Sequence, residues 1–561
     1  MWTFSTVLQG ITSLLAVQNS NSGSRPAFDA REATVASVRH ALITGQATCR
    51  QIVEVYLSRI AAINPIINAV LSLDPDVLVV ADILDAKLAD PHYVLPPLFC
   101  VPVLIKDNFD VEGMATTGGC AALAGMRPAH DAPTITALKD AGAVILGKTN
   151  MHELALEGLS VSTWGGQTLN PFDLTRTPGG SSGGTGAAVA ASLAVFGTGT
   201  DTVNSLRSPA SASSLVSIRP TRGLVSRSGV LPVSYSQDAV GPIARCVEDL
   251  AVALTVMKGV GYDERDNTTA LAPSSSRKAD YSIGLTSGNL RGKRIGWLSG
   301  FFNQTSSGGT NAVNDAMRDM QARLTTAGVE FVPVEDPVFN ADELLKIVDL
   351  QQFEYRQLMD EYLSDPSLQG QHAMDLRDLY SGESGSYLVI PAQYQHVRNA
   401  LASSTHNKTA GERPSFVEVK QKVANLALAL HMAFAANNLD ALMYPQQKNL
   451  VVKMGAASQS GRNGILAAAT GFPSVALPAG FSSKSSTAPE GVPIGMELLG
   501  LPWSEAALLQ LAYQVESLTR VRRTPLLARL VTEPHSLGRV PDILPDRSRI
   551  HNVYIVGNLG I

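Results

Sequence analysis

Apolar positions along the chain follow two different periods. Over residues 34–63, Val35, Val38 and Leu42, then Ile52, Val53, Val55, Tyr56 and Ile60, recur at helical spacing, and Gly45 breaks the run. Residues 97–106 (Pro-Leu-Phe-Cys-Val-Pro-Val-Leu-Ile-Lys) are continuously apolar until a terminal charge, the pattern of a buried strand. Pro102 places that strand near an edge or puts the proline at its start. Residues 133–141 predict a helix, 143–147 a buried strand, and Met151–Leu156 the start of another helix. This alternation predicts an α/β fold with a largely parallel sheet.

The texture then changes. Residues 177–240 are rich in Gly, Ser, Thr and Ala and carry few charges. A flexible linker has that composition, but Ala187–Ala194 is a strong small-residue helix, so the stretch reads as core built for close backbone approach. From about 264 to 440 the chain is more polar, with a strand within Leu290–Leu298 and an amphipathic helix over Val313–Ala327. Residues 465–520 return to the dense apolar pattern and include a helix from Glu505 to Ser517.

Composition narrows the classes. Apolar residues are 45% and charged residues 17% of 561, which excludes a disordered chain. A formal net charge of -5 lacks the basic footprint of a nucleic-acid binder, so no nucleic-acid partner is expected. No apolar run reaches membrane-spanning length. Residues 1–24 read either as a signal peptide, with an apolar stretch Val7–Val17 but no Lys or Arg before Arg25, or as a disordered N-terminus. The first reading makes the protein secreted; the second leaves it cytoplasmic. Cys49, Cys100, Cys120 and Cys246 form no CxxC pair and read as four separate thiols, with a Cys100–Cys120 bridge open to a secreted protein.

Several short motifs match by form alone. Gly142–Thr149 fits G-x-x-x-x-G-K-[ST], but Ala143–Leu146 is itself the strand, so no phosphate-cradling loop remains. Gly179-Gly-Ser-Ser-Gly183 fits the G-x-S-x-G elbow, yet the turn-rich Asn170–Pro178 precedes it where a strand is required. His152-Glu153 lacks the second His of a zinc motif. What remains is a set of Lys and Ser residues. Lys106 ends an apolar strand, and burial lowers a lysine's pKa towards that of a usable base. Ser181 and Ser182 lie among glycines, and Ser205 follows the Gly197–Asn204 segment, whose backbone N–H groups suit an oxyanion.

Taken together, Val101–Asn108, Gly147–Leu154, Asn170–Asp173, Arg176–Gly184, Gly199–Thr202, Arg219–Gly223, Gly229–Ser234, Asp238–Arg245, Gly471–Gly480 and Gly491–Gly500 resemble the amidase signature family of Ser–Ser–Lys amide hydrolases, in the family's order over roughly 34–520. Among its members the chain is similar to fungal amidases that resemble the A-type amidotransferase component. The resemblance implies a single α/β/α sandwich around a mixed, mostly parallel central sheet over residues 25–528, a substrate-shaping region at about 264–440, and a C-terminal tail at 529–561. It implies Lys106 as base, Ser181 as bridging residue on a cis peptide bond, and Ser205 as nucleophile. Ser205 would attack an amide carbonyl, and the N–H groups of Thr202, Val203, Asn204 and Ser205 would hold the oxyanion. Ser182 would support Ser181, and Asp201 and Arg207 would pair across the loop. Thr149 and Asn150 follow a strand end, where α/β folds often place ligands, and read as a ligand position or, at least equally, as a structural turn. No metal or cofactor is implied. The expected substrate is a small or peptide-like amide; oligomeric state stays open, a homodimer included.

The family's usual text before the nucleophile is Thr-Asp-x-Gly-Gly-Ser, whereas this chain has Val203-Asn204. A β-branched Val203 resists a left-handed backbone. Either the loop needs no positive φ there, or the oxyanion hole is reshaped and turnover impaired. The other alternative is the glutaminase component of an amidotransferase, which supplies ammonia to its partners.

Overall fold

The computed structural model describes residues 28–381, 387–389, 391–402, 414–531 and 536–557. The signal-peptide reading of residues 1–24 lies outside these residues.

Eleven strands form one sheet: β1 Val70–Leu73, β2 Pro102–Lys106, β3 Val144–Thr149, β4 Phe196–Asp201, β5 Val216–Arg219, β6 Ala239–Ala244, β7 Arg294–Leu298, β8 Glu330–Val334, β9 Ala441–Pro445, β10 Ser474–Phe481 and β11 Pro493–Leu499. Their order is β1-β3-β2-β4-β6-β5-β10-β11-β9-β7-β8. The sheet is mixed. Parallel pairing joins β3-β2-β4 and β9-β7-β8, and the strands between these blocks pair antiparallel. Because β2 and β4 are parallel neighbours, Lys106 and Asp201 end their strands at the same edge of the sheet, where α/β folds place ligands. Pro102 starts β2 inside the sheet, where its missing N–H costs least.

The helices follow the apolar period. Thr34 and Thr48 cap Val35–Ile43 and Cys49–Ile67 in two capping boxes, on either side of Gly45. Pro133–Asp140, Gly308–Thr326 and Glu505–Thr519 fall where expected. Two expectations need correction. The small-residue helix spans Gly183–Ala190 and stops before Ser192, whose φ is 57°. It starts earlier, at Gly183, and Gly184 in its first turn lies against the Asn150 backbone, where a Cβ would come within 2.1 Å of Asn150 O. Met151–Leu156 is not an α-helix but a short 3-10 turn at Glu153–Ala155. Tertiary bonds take the backbone donors there: Leu154 N–H donates to Gly118 O (2.7 Å) and His152 N–H to Ser181 O (3.0 Å).

The cysteine expectation is also corrected. Cys49 and Cys100 form a disulfide across 51 residues, while Cys120 and Cys246 are free. Cys49 opens its helix and Cys100 sits in a turn at φ 60°, a tertiary meeting that linear spacing does not encode. The C-terminal segment packs back on the body: the Arg547 guanidinium lies 3.8 Å from the centroid of the Trp164 ring, and Tyr554 OH donates to Ala456 O. Among the described residues, no helix is long and apolar enough to cross a membrane.

Candidate active site

The first component is Lys106. The last residue of β2 is wholly buried, and its Nζ lies 2.7 Å from both Ser181 Oγ and Thr200 Oγ1. No carboxylate forms an ion pair with it among the described residues. Burial therefore dominates and lowers its pKa to about 7, with the charges of Asp201 and Asp238 opposing that shift. Asn108 Nδ2 donates to Thr200 Oγ1 at 3.1 Å, holding that hydroxyl against the amine.

Ser181 lies in a bend just before the helix Gly183–Ala190. The Gly180–Ser181 peptide bond is cis, as the resemblance implied. Gly179 has φ 72° and packs against Ser208, leaving no space for a side chain. Ser182 N–H donates to Ser205 O (3.3 Å), which ties the two serine segments together. Ser182 Oγ bonds the Thr200 backbone rather than Ser181, donating to its carbonyl at 3.3 Å and accepting from its N–H at 3.4 Å. It therefore supports the strand that carries Thr200.

Ser205 follows β4 and precedes the helix Arg207–Ala212. It is 7% exposed, and its hydroxyl makes no hydrogen bond among the described residues. The loop before it takes Val203 and Asn204 without a positive φ at either. Space for the Asn204 side chain comes from Gly464, where a Cβ would lie 2.5 Å from Asn204 Cβ. Asn204 Nδ2 is buried and unpartnered.

A buried charge cluster fixes this loop. Asp201 accepts from Arg207 Nε and Nη2, both at 3.0 Å, from Arg219 Nη1 at 2.9 Å and from Leu206 N–H at 3.1 Å. Burial alone would raise the Asp201 pKa, but the two guanidiniums bring it down to about 2. Arg207 also reaches Glu497 (2.6 Å), Val203 O (2.5 Å) and Gly464 O (3.0 Å). Asp201 and Arg207 thus pair as expected, within a larger network that includes Arg219 and Glu497.

Other residues of the site carried no role in the sequence reading. Thr200 contacts the amine, and Asp238 accepts from Thr202 Oγ1 at 2.6 Å. Both stood within quoted motif segments, but nothing in their spacing marked a contact. A cavity of about 250 Å³ opens beside them, lined by Thr200, Thr202, Leu231, Val233, Leu358 and Tyr362 among others. Thr149 bonds Thr185 (2.8 Å), and Asn150 Nδ2 donates to Gly166 O (3.1 Å), so both side chains make internal hydrogen bonds.

A mixed α/β sheet carrying a buried lysine against a serine hydroxyl, with a second serine on the adjoining loop, defines the class of fold and site. The family model described as Amidase matches residues 51–509, and the chain belongs to the amidase family. "Probable amidase At4g34880" of Arabidopsis thaliana is 32% identical over 510 residues, covering 89% of this chain and 92% of that protein. The A-type component of the glutamyl-tRNA(Gln) amidotransferase of Alkalilimnicola ehrlichii is 31% identical over 508 residues, covering 87% and 97%. The X-ray structure of native peptide amidase from Stenotrophomonas maltophilia matches with a TM-score of 0.74 at 33% identity, covering 88% of this chain and 98% of that one.

Proposed function

We propose that the chain hydrolyses a carboxylic amide through an acyl-enzyme on Ser205. Neutral Lys106 accepts the Ser181 proton while Ser181 accepts that of Ser205, and Ser205 Oγ attacks the carbonyl carbon. The N–H groups of residues 202–205 take the developing oxyanion. The proton returns along the same path to the leaving amine, and water then releases the acid. The observation that carries this reading is the 2.7 Å Lys106–Ser181 contact in a wholly buried setting that favours the neutral amine. The 250 Å³ cavity, mostly apolar along Val230–Val233, suits a small or peptide-like amide.

A fluorophosphonate probe tests it, with mass mapping of the labelled residue. Label on Ser205 that disappears in Ser205→Ala and slows strongly in Lys106→Ala supports the relay; label elsewhere, or none, refutes it. The similarity to the A-type component of an amidotransferase favours a second reading, a glutaminase, which predicts ammonia release from glutamine stimulated by partner proteins.

A further inference from the structure

We propose that Asp238 is a positioning residue of the hydrolytic site: its carboxylate holds Thr202, and so sets the loop that leads to Ser205. The inference rests on the amide-hydrolase reading and extends it to a residue outside the Lys–Ser–Ser set.

Asp238 lies one residue before β6 and is half-buried at the cavity wall. One carboxylate oxygen accepts from Thr202 Oγ1 at 2.6 Å; the other accepts from the N–H groups of Val233 (2.8 Å) and Ser234 (2.9 Å). Its neighbour Gln237 grips the same loop residue from the other side, donating through Nε2 to Thr202 O at 3.2 Å. Gln237 Oε1 in turn accepts from Leu350 N–H at 2.6 Å. Glu354, one turn further along the helix Gln351–Leu363, accepts from Ser234 Oγ, Ser236 Oγ and Ser236 N–H. A continuous hydrogen-bonded chain thus runs from that helix, which lines the cavity with Leu358 and Tyr362, through Ser234, Ser236, Gln237 and Asp238 to Thr202. Such networks hold a single geometry when every member is satisfied.

The charge of Asp238 also reaches the base. The groups around Lys106 are Ser181, Thr200 and Asn108, which are neutral, His152, which burial keeps neutral with a pKa of about 4, and the carboxylates Asp201 and Asp238. Asp201 is offset by two guanidiniums, whereas Asp238 makes no ion pair among the described residues. Its carboxylate stabilises the ammonium form of Lys106, the form that cannot accept a proton.

Two variants separate positioning from a merely structural role. Thr202→Val deletes the hydroxyl and keeps the shape; Asp238→Asn keeps an acceptor for the two N–H donors but turns an amide donor towards Thr202. With a simple primary amide as substrate, each is expected to lower kcat about tenfold or more with KM within about twofold. Measured at a pH above the acid limbs, where the charge effect on Lys106 drops out, the double variant is expected to be no worse than the poorer single one, because both variants lose the bond that the Thr202 hydroxyl donates to the Asp238 carboxylate. The acid limb of kcat/KM is expected to move to lower pH in Asp238→Asn and to stay in place in Thr202→Val. Additive losses, effects confined to KM, or identical limbs in the two variants would overturn the inference. If Asp238→Asn does not fold, as its thermal melt would show, Thr202→Val decides alone: an unchanged kcat overturns the proposal. Wild-type protein without amide hydrolysis or Ser205 labelling sinks the underlying reading; an active wild type with unaffected variants sinks only this one.

Discussion

Two lysines on neighbouring strands of the sheet have opposite surroundings. Lys106 ends β2, and Lys148 lies on the parallel neighbour β3, where it pairs in register with Ile105. Both are wholly buried. Lys148 Nζ lies 3.1 Å from Asp107 Oδ1 and donates to Ala115 O at 2.9 Å. Lys106 has two hydroxyls and no paired carboxylate. A buried ammonium needs a partner charge; a buried amine needs only hydrogen bonds. One residue type at one depth therefore serves as structural cation in the first case and as proton acceptor in the second, and the placement of a single carboxylate decides which.

The largest expected effect breaks the comparison on the activity side. Ser205→Ala should reduce kcat by about 10⁴-fold or more, and Lys106→Ala by about 10²–10⁴-fold, in steady-state assays of amide hydrolysis. Lys148→Met breaks it on the stability side. It leaves Asp107 buried without its partner and should cost about 3–5 kcal/mol in denaturant unfolding. Lys106→Met, which strands no charge, should change stability at neutral pH by less than about 1.5 kcal/mol. Equal destabilisation by the two methionine variants would erase the distinction.

The pH dependence sharpens it. Lys106 must be neutral to accept a proton, so kcat/KM should rise as pH increases through about 7. Stability carries the same signature. Between about 7 and the ordinary lysine value of 10.5, the unfolded chain holds a proton that the folded one lacks, so wild type should gain stability relative to Lys106→Met as pH rises across that window. Parallel stability curves for the two proteins would contradict the lowered value. The smallest effect is expected from Asn204→Gly. With no positive φ at that position and Gly464 already making room, kcat should stay within about threefold of wild type.

The features legible in the sequence are those written locally. A charge at the end of an apolar strand pointed to Lys106, small-residue text to a close-packed helix, and helical periods to Cys49–Ile67 and Glu505–Thr519. The order of motif segments pointed to the family, and residues 51–509 match its model. What stayed hidden depends on tertiary approach. The Cys49–Cys100 disulfide joins a helix start to a turn. Met151–Leu156 gave up its helix because its backbone donors bond across to Gly118 and Ser181. Thr200 and Asp238 acquire their contacts only when β4 and β6 pair, Thr200 with Val240 and Asp201 with Ala239. Of the two alternatives open for Val203-Asn204, the loop has no positive φ at either residue, and no local pattern announces the distant Gly464 that leaves space for Asn204.

The central claim is that burial without a paired charge lowers the Lys106 pKa to about 7, so that the amine form is available near neutral pH. A side-chain NMR titration of carbon-13-labelled lysines, with Lys106→Met to assign the signal, measures this directly. The account predicts one lysine titrating near 7 that vanishes in the variant. A Lys106 signal that titrates with the exposed lysines near 10.5 would contradict it.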